Sequence, residues 1–190
     1  KTVLEKNKLD GIDLDFEWAE NEKEYKDYSL AILKMREVLG DKYLFSVSLH
    51  PVCYKISKEA IEAVDFISLQ CYGPSPVRFP IEKYCSDIQM VLEYGIPKEK
   101  LVAGVPFYGV TKDNSKKTEA YFNFVQNGLV TSPAQNEVIY QGDTYVFDGQ
   151  DNIRIKTRYA KEQKLKGMMS WDLATDLPLS DSRSLLKTMT

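Results

Sequence analysis

The chain reads as an α/β fold built on a parallel sheet, and three observations carry that reading. Strand-length runs rich in apolar residues alternate with segments of helical periodicity, the rhythm of successive βα units. The run from Val64 to Tyr72 is nearly continuous in apolar character, as a strand covered on both faces requires. No repeat, low-complexity tract or flexible linker interrupts the order, so the 190 residues read as one architecture long enough to bury a core.

The first strand lies in Leu9-Asp10-Gly11-Ile12-Asp13-Leu14-Asp15-Phe16-Glu17-Trp18, with Lys1 to Lys8 as the end of a preceding helix. From Asn21 to Gly40, the residues Tyr25, Tyr28, Ile32, Met35 and Leu39 recur three or four apart and predict a helix closed by Gly40. Tyr43 to Leu49 is the next strand, running out at His50-Pro51. Ser57 to Ala63 predicts a short helical turn leading into the strand Val64 to Tyr72, and Gly73-Pro74-Ser75-Pro76 then forces a loop. Ile81, Tyr84, Ile88, Val91 and Leu92 mark a helix ending at Gly95, and Leu101 to Gly109 forms a strand and its exit. Between residues 111 and 150 the rhythm changes. Thr118 to Gln126 predicts a helix, while Glu137 to Tyr140 and Thr144 to Phe147 flank Gln141-Gly142-Asp143 as a hairpin. A helix from Asp151 to Gln163, a strand Gly167-Met168-Met169-Ser170-Trp171 and a helix from Ser182 to Met189 complete the order.

Composition removes several function classes. A formal net charge of -3, from 25 basic and 28 acidic residues, offers no surface for a polyanion, and no basic block with interleaved aromatics exists, so no nucleic-acid partner is expected. No apolar run reaches the length of a membrane span. The three cysteines, Cys53, Cys71 and Cys85, have neither a disulfide pattern nor metal spacing, and Cys71 reads as a small buried hydrophobe. His50 is the single histidine, which excludes a three-histidine metal site. Its place at a strand end makes it either a rim residue or a polar plug. No cofactor and no resident metal are expected.

The chemistry concentrates in the first strand. Strand periodicity puts Asp13, Asp15 and Glu17 on one face and Ile12, Leu14 and Phe16 on the other. Carboxylates stacked about 6 to 7 Å apart repel one another and lose solvation, and the cheapest escape is for one of them to keep its proton near neutral pH. That makes a proton donor. Glu17 is the candidate general acid/base, and Asp15 is the neighbour best placed to share its proton.

At all four acidic positions, Asp10, Asp13, Asp15 and Glu17 match the D-x-x-D-x-D-x-E signature, and the chain resembles glycoside hydrolase family 18, the chitinases and endo-β-N-acetylglucosaminidases. The resemblance continues near Tyr72, at Gly104 to Gly109 and at Gly167 to Trp171. It implies a partial (β/α)8 barrel holding strands four to eight, with strands one to three absent and a small insertion at 111–150 after strand seven. About 250 residues is typical of a complete barrel. An open edge is therefore expected, covered by a missing N-terminal half or by another chain.

The resemblance also implies roles. Glu17 is the acid. Asp15 orients the substrate's N-acetyl group, whose carbonyl oxygen attacks the anomeric carbon in place of an enzyme nucleophile. Asp13 supports Asp15 from deeper in the barrel, and Tyr72 donates to the acetyl oxygen. Trp171 is the floor beneath the innermost sugar, with Gln70 and Tyr108 beside the pocket and Trp18 as either core or groove wall. Asp10 has a structural part, and Asp172 or Asp176 is a candidate for sugar hydroxyls. Gly73 departs from the family's usual Asp or Asn after this Tyr and weakens the hydroxyl contacts expected there. An N-acetylglucosamine polymer or oligosaccharide is the implied partner, and a secreted, periplasmic or cell-surface location follows from the family. Two other readings are a silent sugar-binding module on the same scaffold and a metal-dependent hydrolase using Asp13, Asp15 and Glu17 for a hard cation.

Overall fold

The computed structural model describes residues 1–16 and 18–189. Glu17, the expected acid, lies outside the described residues. The described backbone forms a parallel sheet of five strands and an antiparallel sheet of four. A short helix α1 (Thr2–Asn7) leads into β1 (Gly11–Asp15), which pairs in parallel with β2 (Leu44–Leu49), with Asp13 opposite Ser46 and Asp15 opposite Ser48. The sheet continues through β3 (Phe66–Leu69) and β4 (Leu101–Pro106).

Helices return the chain between these strands. In α2 (Glu22–Leu39) the Asn21 side chain accepts the Glu24 N–H, and Gly40 follows at φ 66°, a conformation that suits glycine. The short α3 (Lys58–Ala63) is capped by Ser57, and α4 (Ile81–Tyr94) ends at Gly95 with φ 110°. Phe45, Val47 and Leu49 of β2, with Ile67 and Leu69 of β3, turn outward into the helical layer, where Ile32, Ile88 and Val91 are also buried. Each such side chain contributes on the order of 1.5–3 kcal/mol relative to exposure. The opposite parity leaves Ser46, Ser48, His50, Ser68 and Gln70 facing inward.

Four expectations are corrected. The strand expected over Val64 to Tyr72 is confined to Phe66–Leu69: the Cys71 N–H turns back to the Leu69 carbonyl at 3.0 Å, which ends the ladder. The strand expected through Gly109 breaks at Phe107, and β5 (Tyr108–Thr111) belongs to the second sheet. Thr118–Ala120 is strand β6 rather than helix, because it pairs antiparallel with β5, and the helix α5 starts only at Tyr121 and runs to Gln126. The last helix, α7, is limited to Leu185–Thr188, with the Ser184 hydroxyl accepting the Lys187 N–H.

The hairpin forms, with Asp143 in its second strand and a two-residue turn in place of the expected three. Strands β7 (Glu137–Tyr140) and β8 (Asp143–Val146) meet at Gln141-Gly142, both at positive φ, the conformation a two-residue hairpin demands. After it, α6 (Gln150–Glu162) buries Lys156 completely. Its Nζ donates to Asp148 Oδ2 at 2.6 Å and to the Phe79 carbonyl at 3.0 Å. The strand β9 (Gly167–Trp171) then pairs with β4 and closes the parallel sheet at the edge opposite β1. At the β1 edge, Leu14 is half-buried, but Ile12 and Phe16 stay 39% and 45% exposed, so the apolar face of β1 is only partly covered. Among the described residues, no helix is long and apolar enough to cross a membrane.

Candidate active site

The inward parity of the parallel strands produces one cavity of about 510 Å³ at their C-terminal ends. Its walls include Asp13, Asp15, Trp18, Gln70, Tyr72, Tyr108 and Trp171, so these seven expected residues line the same space, while Asp172 and Asp176 do not. In parallel βα architectures this end of the sheet is where ligand sites are built.

Asp13 is held by its neighbour strand. The Ser46 hydroxyl donates to Oδ1 at 2.5 Å and the Ser48 hydroxyl to Oδ2 at 2.8 Å, so both carboxylate oxygens are engaged from β2. One step nearer the mouth, Gln70 Nε2 donates to Asp15 Oδ1 at 3.2 Å. These bonds cross the β1–β2–β3 register and fix the two carboxyl groups at successive depths. Behind β1, the Tyr28 hydroxyl donates to the Leu14 carbonyl at 3.3 Å. Burial, reinforced by the charges of Asp13 and Asp15, holds that phenol well above the usual range.

Tyr72 is 6% exposed and seated against β4. A Cβ added at Gly104 would come within 2.8 Å of the ring, so only glycine leaves room for this placement. The hydroxyl points toward Met169 Sδ at 3.6 Å, and the ring meets Tyr108 edge-on at 6.4 Å between centroids. Tyr108 in turn packs edge-on to Phe79 at 6.5 Å. Although it opens the antiparallel sheet, Tyr108 therefore still reaches the cavity.

The two tryptophans are the open surfaces of the site. Trp171 is 56% exposed at the end of β9, and Trp18 is 62% exposed and lines the cavity, which excludes the core reading for it. His50 is 8% exposed and bonded to the Tyr72 carbonyl, and it also lines the cavity. Asp172 and Asp176 lie outside the cavity lining and hold local structure instead. Asp172 caps the turn at Leu173–Thr175, accepting the Thr175 N–H at 3.1 Å, and buried Asp176 accepts from Ser184 Oγ and from the Leu185 and Leu186 N–H groups at the start of α7. Asp10 is exposed and contributes its carbonyl to the Leu44 N–H at 2.9 Å.

Ser46, Ser48, Ser68 and Met169 also line the cavity and escaped the sequence reading. A signal existed for the first two, since Ser-Val-Ser inside an apolar strand marks an inward polar parity. At Gly73, an added Cβ would meet nothing closer than His50 Nε2 at 3.8 Å, so packing does not impose glycine there.

This geometry can orient a polar ligand between paired carboxyl groups and a phenol, over an exposed indole. Known proteins share the scaffold. The chain is 23% identical to "Probable chitinase 2" of Drosophila melanogaster, an alignment covering 92% of this chain and 49% of that protein. Among solved structures, the chitinase ChiB of Flavobacterium johnsoniae superposes with a TM-score of 0.79 at 28% identity, over 99% of this chain and 61% of that one. A chitinase of Bacteroides thetaiotaomicron gives a TM-score of 0.84 at 20% identity, with 99% and 64% covered. The chain thus spans about half to two thirds of the length of these similar proteins. The sequence profile of the glycosyl hydrolases family 18 matches residues 1–176, and the chain belongs to that family.

Proposed function

We propose that the protein containing this chain hydrolyses β-1,4 glycosidic bonds next to N-acetylglucosamine with retention of configuration, chitin or chitooligosaccharides being the leading substrates. The observation that carries this reading is the convergence of Asp13, Asp15, Gln70, Tyr72 and Trp171 on one cavity, in a chain whose sequence supplies Glu17 at the fourth acidic position of the motif. The chain acts as the C-terminal part of a (β/α)8 barrel, with β1, β2, β3, β4 and β9 as its strands four to eight and β5 to β8 as the insertion. An N-terminal half covers the edges of β1 and β9.

In the reaction, Glu17 protonates the leaving oxygen and later accepts a proton from water. Asp15 orients the acetamido group, whose carbonyl oxygen attacks the anomeric carbon, so the intermediate is a cyclic oxazolinium-type ion rather than an enzyme ester. Asp13, fixed by two serines, supports Asp15. The Tyr72 hydroxyl donates to the acetamido oxygen, and Trp171 stacks beneath the sugar. The site acts on glycans outside the cytoplasm, in keeping with the family.

The ligand class has a second support, since YKL-39, a protein of similar fold with a TM-score of 0.78, was solved in the presence of chitooligosaccharides. Product analysis of the intact protein on chitotetraose against a high-mannose glycopeptide tests the proposal. Cleavage of chitotetraose is expected. Cleavage of the glycopeptide alone replaces the reading with an endo-β-N-acetylglucosaminidase, and binding without cleavage of either leaves a sugar-binding member of the fold.

A further inference from the structure

His50 stands at the end of β2 with both ring nitrogens committed. The Val52 N–H donates to Nδ1 at 3.3 Å, and Nε2 lies 3.1 Å from the Tyr72 carbonyl oxygen. A carbonyl oxygen can only accept, so the hydrogen sits on Nε2 and the imidazole is neutral. Burial lowers the pKa of this ring, Arg78 and Lys83 push the same way, and the Tyr72 carbonyl and Asp87 push against them.

The same residue heads a tight turn. The Cys53 N–H donates to the His50 carbonyl at 2.7 Å, the His50 N–H to the Cys53 carbonyl at 3.4 Å, and the Ala19 N–H donates to Cys53 Sγ at 3.0 Å. The indole of Trp18 stands 6.0 Å from the imidazole, centroid to centroid. One four-residue turn therefore holds two segments that leave different strands: residues 18–19 after β1, and Tyr72 after β3.

We propose that His50 is a positioning residue for hydrolysis: its Nε2–H fixes the Tyr72 main chain, and its turn sets that anchor relative to the segment immediately following Glu17. The role in catalysis rests on the hydrolase reading. His50 acts through Tyr72, whose ring is located on its other side by Gly104 and Tyr108. A small slip of the Tyr72 carbonyl would carry the phenol off the acetamido oxygen, and errors of about 1 Å in such placements cost on the order of a hundredfold in rate.

The test uses the intact protein and three variants. His50→Gln keeps an amide N–H near the Nε2 position, His50→Asn is too short to reach the Tyr72 carbonyl, and His50→Leu removes both bonds. On chitotetraose, kcat is expected to fall about tenfold or more in His50→Leu and His50→Asn with a smaller change in KM, and to recover to within about threefold of wild type in His50→Gln. Should His50→Leu not fold, the contrast between Gln and Asn carries the same test.

A second measurement does not need activity. In ¹⁵N–¹H spectra of the imidazole, with the His50 signal assigned by its loss in His50→Gln, the Nε2–H tautomer is expected. The amide of Gly73, next to the Tyr72 carbonyl, should shift in His50→Asn and return toward its wild-type position in His50→Gln. An Nδ1–H tautomer, or a Gly73 amide indifferent to His50→Asn, overturns the anchor. Unchanged kcat in His50→Asn, or a Gln variant no better than Asn, overturns the role in catalysis. A wild type without glycosidase activity removes the hydrolase reading and the kinetic role with it, while the spectra still decide the anchor.

Discussion

Ser46 and Asp13 face each other across matched positions of β1 and β2, and the Ser46 hydroxyl meets Asp13 Oδ1 at 2.5 Å while Ser48 holds Oδ2. Removing both hydroxyls by Ser46→Ala with Ser48→Ala frees the Asp13 carboxyl group to change rotamer. A fall in kcat of about tenfold is expected with a thermal midpoint lowered by about 4–8 °C, since the two lost hydrogen bonds are worth about 1 kcal/mol net each. Steady-state kinetics and a melting curve on the same samples check it. Full activity would make the two serines ordinary strand residues.

Glu17→Gln keeps the side-chain shape and removes the transferable proton. The expected outcome is a loss of about 10²- to 10⁴-fold in kcat with a smaller change in oligosaccharide affinity. Retention of more than about a tenth of wild-type turnover removes Glu17 from the acid role.

Asp15→Asn separates substrate assistance from an ordinary double displacement. The loss should concentrate on N-acetylated substrates, and a thiazoline analogue of the cyclic intermediate should inhibit wild type strongly and the variant weakly. A sugar ester trapped on any Asp or Glu of the wild type would refute the mechanism.

The buried pair Lys156–Asp148 is expected to behave asymmetrically. Lys156→Met alone strands the Asp148 carboxylate and the Phe79 carbonyl without their donor, and a loss of about 3–5 kcal/mol is expected from chemical denaturation. Combining it with Asp148→Leu removes the unpaired charge, so the double variant should recover much of that loss. A double variant as unstable as the sum of the two singles would show that the pair has no mutual dependence.

His50 also predicts a pH dependence of stability. Its folded pKa lies below the ordinary value of 6.5, chiefly through burial, so below that pH the unfolded chain binds the proton better. Stability from this residue is present above about pH 6.5 and is lost as pH falls toward the folded pKa. Denaturation midpoints between pH 7 and pH 5, compared for wild type and His50→Gln, should show a shallower slope in the variant.

Much of this arrangement was legible because strand parity and helical period are local. Asp13 and Asp15 share a face by alternation alone, and the α2 boundaries follow from Asn21 and Gly40. The break at Phe107 was not legible, because Val-Pro-Phe-Tyr-Gly reads as one extended run and only the pairing partners of Tyr108 reveal the change of sheet. Thr118–Ala120 failed for the same reason, since a three-residue strand exists only through its partner. Asp172 and Asp176 carry carboxylates near the right tryptophan, but whether such a group faces a cavity or caps a turn depends on the fold of the residues after it.

Phe107 is the single residue between β4 and β5, where the chain crosses from the parallel to the antiparallel sheet. It is fully buried, its N–H donates to the Trp171 carbonyl at 2.8 Å, and its own carbonyl accepts the Tyr121 N–H at 3.3 Å. A swing of the wall that carries Tyr108 would have to break both bonds and drag an aromatic ring out of the core. Main-chain hydrogen bonds on both sides of Phe107 thus tie the start of β5 to the end of β9 and to the first residue of α5. Under the proposed glycosidase function this predicts a wall that keeps its shape when a sugar binds, so that the ligand rather than the wall adapts.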